Sequence, residues 1–112
     1  MLLKNKTKGT IVANFLWLAY TFSQRVQGLL GTRLFPLGYG LIIKPCSSMH
    51  TFGMNYPIDV LFVDGNNRII KIVDNMLPGN MSMSSGSKYV VELPAGTANR
   101  TVCSVGDILE FQ

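Results

Sequence analysis

The chain has 112 residues, 47% apolar and 14% charged, with 11 glycines and 5 prolines. That length gives one domain with a core of its own, and that balance excludes a disordered polar chain. The net charge of +4 comes from ten basic and six acidic residues, and beyond Lys4, Lys6 and Lys8 the basic ones are scattered singly. A nucleic-acid interface calls for clustered Lys and Arg with aromatics between them, so nucleic acid is not an expected partner.

In chain order, "LLKNKTKGTIVA" reads as a hairpin: an apolar start, a polar turn from Asn5 to Gly9, then a β-branched run. "IVANFLWLAY" after three lysines imitates a signal peptide. Its apolar run is too short to span a bilayer and no small-residue cleavage site follows, so it reads as a strand. "TFSQRVQGLLGTR" predicts a short helix, with Ser23 as N-cap, Val26, Leu29 and Leu30 on one face, and Gly31 as its end. "LFPLGYG" is a turn-rich loop, "GLIIK" a strand stopped by Pro45, and "MHTFGM" a partly alternating segment.

"IDVLFVDGNNRIIKIV" is the clearest hairpin, two apolar runs around Asp64 to Asn67. Val60 to Val63 are apolar without a break, which predicts an inner strand covered on both faces. "LPGNMSMSSGSK" reads as a long loop, "YVVEL" as a strand, "PAGT" as a turn and "DILEF" as a final strand. Many short strands with one helix predict a mainly-β fold: a small jelly-roll-like sandwich or barrel.

Chemistry concentrates in "PCSSMHTFGMNYPID". It holds Cys46, one of two cysteines, the sole histidine His50, and Asp59. A thiolate nucleophile needs a neighbouring imidazolium, and an aspartate can orient that imidazole. On an extended strand, positions four apart are separated by about 13 Å, so Cys46 and His50 meet only through a turn at Ser47–Ser48. Cys46, His50, Asp59 are therefore the candidate catalytic set, weighed against a packed pair without chemistry. Cys46 and Cys103 are too few for a disulfide framework; they form one bridge or none, and free thiols in a reducing cytoplasm are the plainer expectation. Zinc needs three or four ligands at paired spacings that the chain lacks, so no metal and no cofactor is expected.

Asp59 and Glu92 are acids inside apolar strand contexts. Such a carboxylate is hydrogen-bonded, paired or perturbed for function. Asp59 is expected to accept backbone N–H bonds after Pro57, and Glu92 to pair with Arg25 or Arg33. Met49, Phe52, Met54 and Tyr56 suit an adaptable apolar wall, or plain core.

"TFSQRVQGLLGTR", "GYGLIIKPCSSMHTFGMNYPIDVLFVD", "VVELPAGT" and "VGDILEF" together resemble the domain of unknown function 192 family, over Gly9 to Phe111. The resemblance implies a small, mainly-β, jelly-roll-like sandwich and no particular activity. Its motif positions fall on Arg25, Gly28, Leu29, Arg33, Pro45, Cys46, His50, Met54, Pro57, Ile58, Asp59, Glu92, Leu93, Pro94, Gly96, Gly106 and Asp107. Gly53 stands where many members carry a bulky aromatic, which opens a hole or a wider pocket. The polar members are expected to converge in one network, Arg25 or Arg33 with Asp59 and Glu92, beside His50.

The expected function is a non-enzymatic binding module for a small molecule, sugar or peptide near Pro45–Asp59. Its ligand-binding residues are Arg25, Arg33, His50, Phe52, Met54, Tyr56, Asp59 and Glu92. The alternatives are a Cys/His hydrolase or transferase, and a module that forms a homodimer through an exposed strand edge.

Overall fold

The computed structural model describes residues 1–20 and 35–112. Its strands are β1 (Leu3–Asn5), β2 (Thr10–Ala13), β3 (Phe15–Ala19), β4 (Tyr39–Ile43), β5 (Ser48–His50), β6 (Ile58–Val63), β7 (Ile69–Met76), β8 (Met81–Met83), β9 (Tyr89–Pro94) and β10 (Leu109–Phe111). Among the described residues one short helix, α1 (Thr97–Arg100), stands between β9 and β10. The helix predicted around Ser23–Gly31 lies outside the described residues, as do Arg25 and Arg33.

Five strands form the main sheet in the order β3-β4-β9-β6-β7. Only β3 and β4 run parallel in it. A three-stranded sheet, β10-β1-β2, and a two-stranded one, β5-β8, complete the described fold. The sheets do not close into a barrel.

Strand alternation sends successive side chains to opposite faces of the main sheet. On one face, Ile42, Leu61, Val63, Val91 and Leu93 pack with Leu3, Val12, Ala13 and Leu109 of the three-stranded sheet and with Ala98 of α1. That contact makes the fold a sandwich. On the other face, Leu41, Ile43, Ile58, Val60, Phe62 and Val90 pack with Ala19, Phe35, Met49 and Met76. With both faces covered, β6 and β9 are buried at every position. This is the physical reason for the unbroken apolar run at Val60 to Val63.

Two expectations change. The single strand read in "IVANFLWLAY" is two, parted at Asn14, where the Asn14 and Phe15 N–H groups both donate to Gly38 O, at 2.7 and 3.1 Å. That break lets the chain leave the small sheet and enter the main one. The long loop after Leu77 contains β8, which pairs antiparallel with β5. No local apolar pattern marks "MSM" as a strand; its partner does.

Gly40 sits where the two sheets come closest. A Cβ there would lie 3.2 Å from Leu93 Cδ2 and 3.3 Å from Ala13 Cβ.

Candidate functional site

Pairing register decides which polar side chains share a face. Asp59 stands opposite Leu93 on β9, whereas Glu92 stands opposite Val60 on β6. Cross-strand partners share a face and sequence neighbours do not. Asp59 therefore faces the inter-sheet core and Glu92 the other side. The expected single network of Asp59 and Glu92 does not form.

Asp59 is fully buried, and both its oxygens are used. Oδ1 accepts the Asn75 N–H at 2.9 Å and Oδ2 the Ala98 N–H at 2.8 Å. The donors are not the amides after Pro57. Asn75 has φ 51° and sits where β7 inserts an extra residue against β6. A bulge frees an amide from the ladder, and the Asp59 carboxylate takes it. Ala98 lies in the first turn of α1, whose amides have no partner within the helix. Asp59 thus ties a bulge to a helix start. Asp74, next to it, is raised above the ordinary carboxyl range, first by desolvation and then by the Asp59 charge, while Asn99 works the other way. Asp74 also lines an open groove of about 300 Å³, formed by residues 73–77 and 80–82.

Glu92 occupies the middle of the second face. The register sets a row across the sheet: Trp17 on β3, Leu41 on β4, Glu92 on β9, Val60 on β6 and Val73 on β7. Glu92 is 4% exposed, and burial pushes its carboxyl up to about 8. Burial is the cause, because apolar surroundings penalise the charged form. In its protonated form such a carboxyl presents one donor and one acceptor.

Aromatic rings run along the same face. Phe15 stacks on Tyr39 with centroids 4.9 Å apart, Tyr39 meets Trp17 at 5.0 Å, Trp17 stacks on Phe35 at 5.9 Å, and Phe35 meets Tyr56 at 6.3 Å. Cys46, Met54 and Tyr56 are partly buried against this cluster, and Met49 is buried within it. So Met54, Tyr56 and Glu92 of the expected ligand set share one face.

Asp59, His50 and Phe52, the other described members of that set, do not join them. On β5, Met49 turns inward, and His50 and Ser48 turn outward. The His50 ring stacks on the half-exposed Phe52 at 5.0 Å, and its Nδ1 accepts the Phe52 N–H at 3.2 Å. The Cys46 thiol donates to Ser48 O at 3.1 Å. No hydrogen bond joins Cys46 to His50 among the described residues. Neither cysteine is in a disulfide. Gly53 has φ 79°, a conformation that suits glycine and strains any other side chain.

Sequence reasoning passed over Thr51, which is fully buried. Its Oγ1 donates to Leu77 O at 2.7 Å and accepts the Asn80 N–H at 2.9 Å, fixing the turn that leads into β8. It also passed over Asn5, whose Nδ2 donates to Asp107 Oδ2 at 2.8 Å. A lone polar residue in a strand gives no sign of the distant acceptor that it meets. No group of three or more His, Cys, Asp or Glu is placed to hold a metal among the described residues.

A small mainly-β sandwich, with a buried carboxyl among apolar side chains on one face of its main sheet and an amide-bound one on the other, is the class of domain these observations define. The chain belongs to the domain of unknown function 192 family, described as an uncharacterized ACR, whose pattern matches residues 3–111. A UPF0127 protein of Thermococcus sibiricus (strain DSM 12597 / MM 739) is 30% identical over 118 residues, covering 99% of this chain and 75% of that protein. A crystal structure of a protein of unknown function from Novosphingobium aromaticivorans DSM 12444 superposes with a TM-score of 0.85 at 24% identity, over 98% of this chain and 83% of that one. A crystal structure of a candidate transcription regulator from Sinorhizobium meliloti 1021 superposes with a TM-score of 0.78 at 32% identity, over 85% of this chain and 79% of that one.

Proposed function

We propose that the protein is a binding domain for a small uncharged molecule that carries a ring and hydroxyl or amide groups, a sugar being the simplest example. The ligand seats on the second face of the main sheet, over Glu92. One observation carries the reading: a carboxyl buried on the face that carries the apolar and aromatic cluster, where burial favours its neutral form. A neutral acid recognises neutral polar groups by donating and accepting at once, and it repels neither. Tyr39 and Tyr56 add aromatic edges to the wall, and Met54 supplies a soft one. Half-buried Tyr39, Met54, Tyr56 and Cys46 form the rim through which a ligand enters. The unbridged cysteines support a reducing, cytoplasmic setting. The scattered positive charge gives no support to a nucleic-acid partner.

The sole tryptophan reports on this face, because Trp17 reaches Tyr56 through Phe35. Monosaccharides, short peptides and aromatic heterocycles are titrated while Trp17 emission is followed. A saturable change that Glu92→Leu abolishes and Glu92→Gln keeps supports the proposal. No response to any compound at millimolar concentration, or a response that both variants keep, sinks it.

A further inference from the structure

Sheet edges are templates for pairing, and proteins blunt them with charge or cover. The edge strand β7 carries Lys71 and Asp74, and β10 carries Glu110. The other edge of the main sheet, β3, is "FLWLA". From Gly9 to Tyr20 there is no charged residue. β3 pairs only with β4 among the described strands. Its apolar side chains remain open to solvent: Phe15 is 58% exposed, Trp17 40% and Leu18 38%.

We propose that two copies of this chain pair edge to edge through β3, antiparallel, about a two-fold axis at Trp17. The strand is complementary to itself in that register. On one face, Phe15 meets the partner's Ala19 and Trp17 meets the partner's Trp17. On the other, Leu16 meets the partner's Leu18. Large side chains thus fall opposite small ones at both ends, and no like charges meet. The result is one continuous ten-stranded sheet.

The exposed parts of Phe15, Trp17 and Leu18 come to roughly 270 Å² per copy, taking about 200 Å² for a whole large side chain. With the strand edge, the pair buries on the order of 1,000 Å², below the roughly 1,600 Å² of a standard interface. The dimer is therefore reversible and dissociates on dilution. It does not use Glu92, so it stands or falls apart from the ligand reading.

Sedimentation of the full chain from micromolar to millimolar concentration tests it, together with amide exchange of residues 14–20. The expected mass rises toward twice that of one chain, and protection of residues 14–20 rises with it. Leu18→Lys and Phe15→Lys return the mass to one chain with unchanged far-UV circular dichroism. A single-chain mass at every concentration overturns the proposal. So does a dimer in which exchange of residues 14–20 is independent of concentration.

Discussion

Asp59 and Glu92 lie one register step apart on adjacent strands and face opposite sides of the same sheet. The first has both oxygens on backbone amides; the second sits among apolar side chains, and burial pushes its carboxyl up. Two acids in similar sequence contexts thus have separate roles. Removing them should have separate consequences.

Asp59→Ala leaves the Asn75 and Ala98 amides without their acceptor. A buried orphaned donor costs about 1–3 kcal/mol, so a total loss of about 3 kcal/mol is expected. The urea midpoint measures it. Amide exchange localises it: Asn75 and Ala98 lose protection, while Val60 and Val91 follow global stability alone.

Glu92 gives the opposite pH signature to a salt-bridged acid. Its folded carboxyl titrates near 8, against 4.5 unfolded. The folded state therefore binds more protons between those values, and stability falls as pH rises through that window. The full difference is about 5 kcal/mol, spread from pH 4.5 to 8. Glu92→Gln should flatten the curve of denaturant midpoint against pH. A parent curve that rises from pH 5 to 8 would contradict the assignment.

The thiol of Cys46 is bonded to Ser48 O, and the imidazole of His50 to the Phe52 amide. His50→Ala should leave the rate of Cys46 alkylation unchanged across pH 6 to 9, measured in a Cys103→Ser background. A rate that falls in the variant would restore the Cys/His hydrolase or transferase.

Asp107 clasps the first hairpin to the end of the chain. Its Oδ2 accepts from Asn5 Nδ2 at 2.8 Å, the Ser104 N–H at 2.9 Å and Lys8 Nζ at 3.1 Å. Burial works to raise its pKa, but these donors and the Lys8 charge together hold it below the ordinary carboxylate range. A lowered carboxyl contributes stability above the unfolded value and loses it as pH falls through the folded one. The melting temperature should drop below pH 4 in the parent and drop less in Asp107→Asn. Asn5→Ala, which leaves a buried carboxylate short of one donor, should cost about 1–2 kcal/mol at pH 7.

The hairpin of β6 and β7 was legible because its signals are local: two apolar runs and a turn of Asp64 to Asn67. The burial of Val60 to Val63 was legible for the same reason. Period-two alternation told which residues share a face, but only the β6–β9 register tells that Asp59 and Glu92 do not. β8 was hidden because Met81 to Met83 becomes a strand through β5, 35 positions upstream at Ser48↔Met83. The candidate face mixes both kinds. Met54, Tyr56 and Glu92 were named in advance. Trp17, Phe35 and Tyr39 join them only through a parallel pairing of β3 with β4 that no local pattern announces.

Leu3 pairs with Phe111. Closing that contact brings together residues more than a hundred positions apart, at an entropic cost that no earlier local contact reduces unless the main sheet already stands. The β6–β7 hairpin closes over a handful of residues and is the natural first structure. β1 and β10, with the Asp107 clasp between them, assemble last. Folding should therefore run on the slow, millisecond-to-second scale of sheet proteins rich in distant contacts. While it runs, β3 stands uncharged and unpaired, so high concentration during refolding should divert chains into aggregates before the sandwich closes.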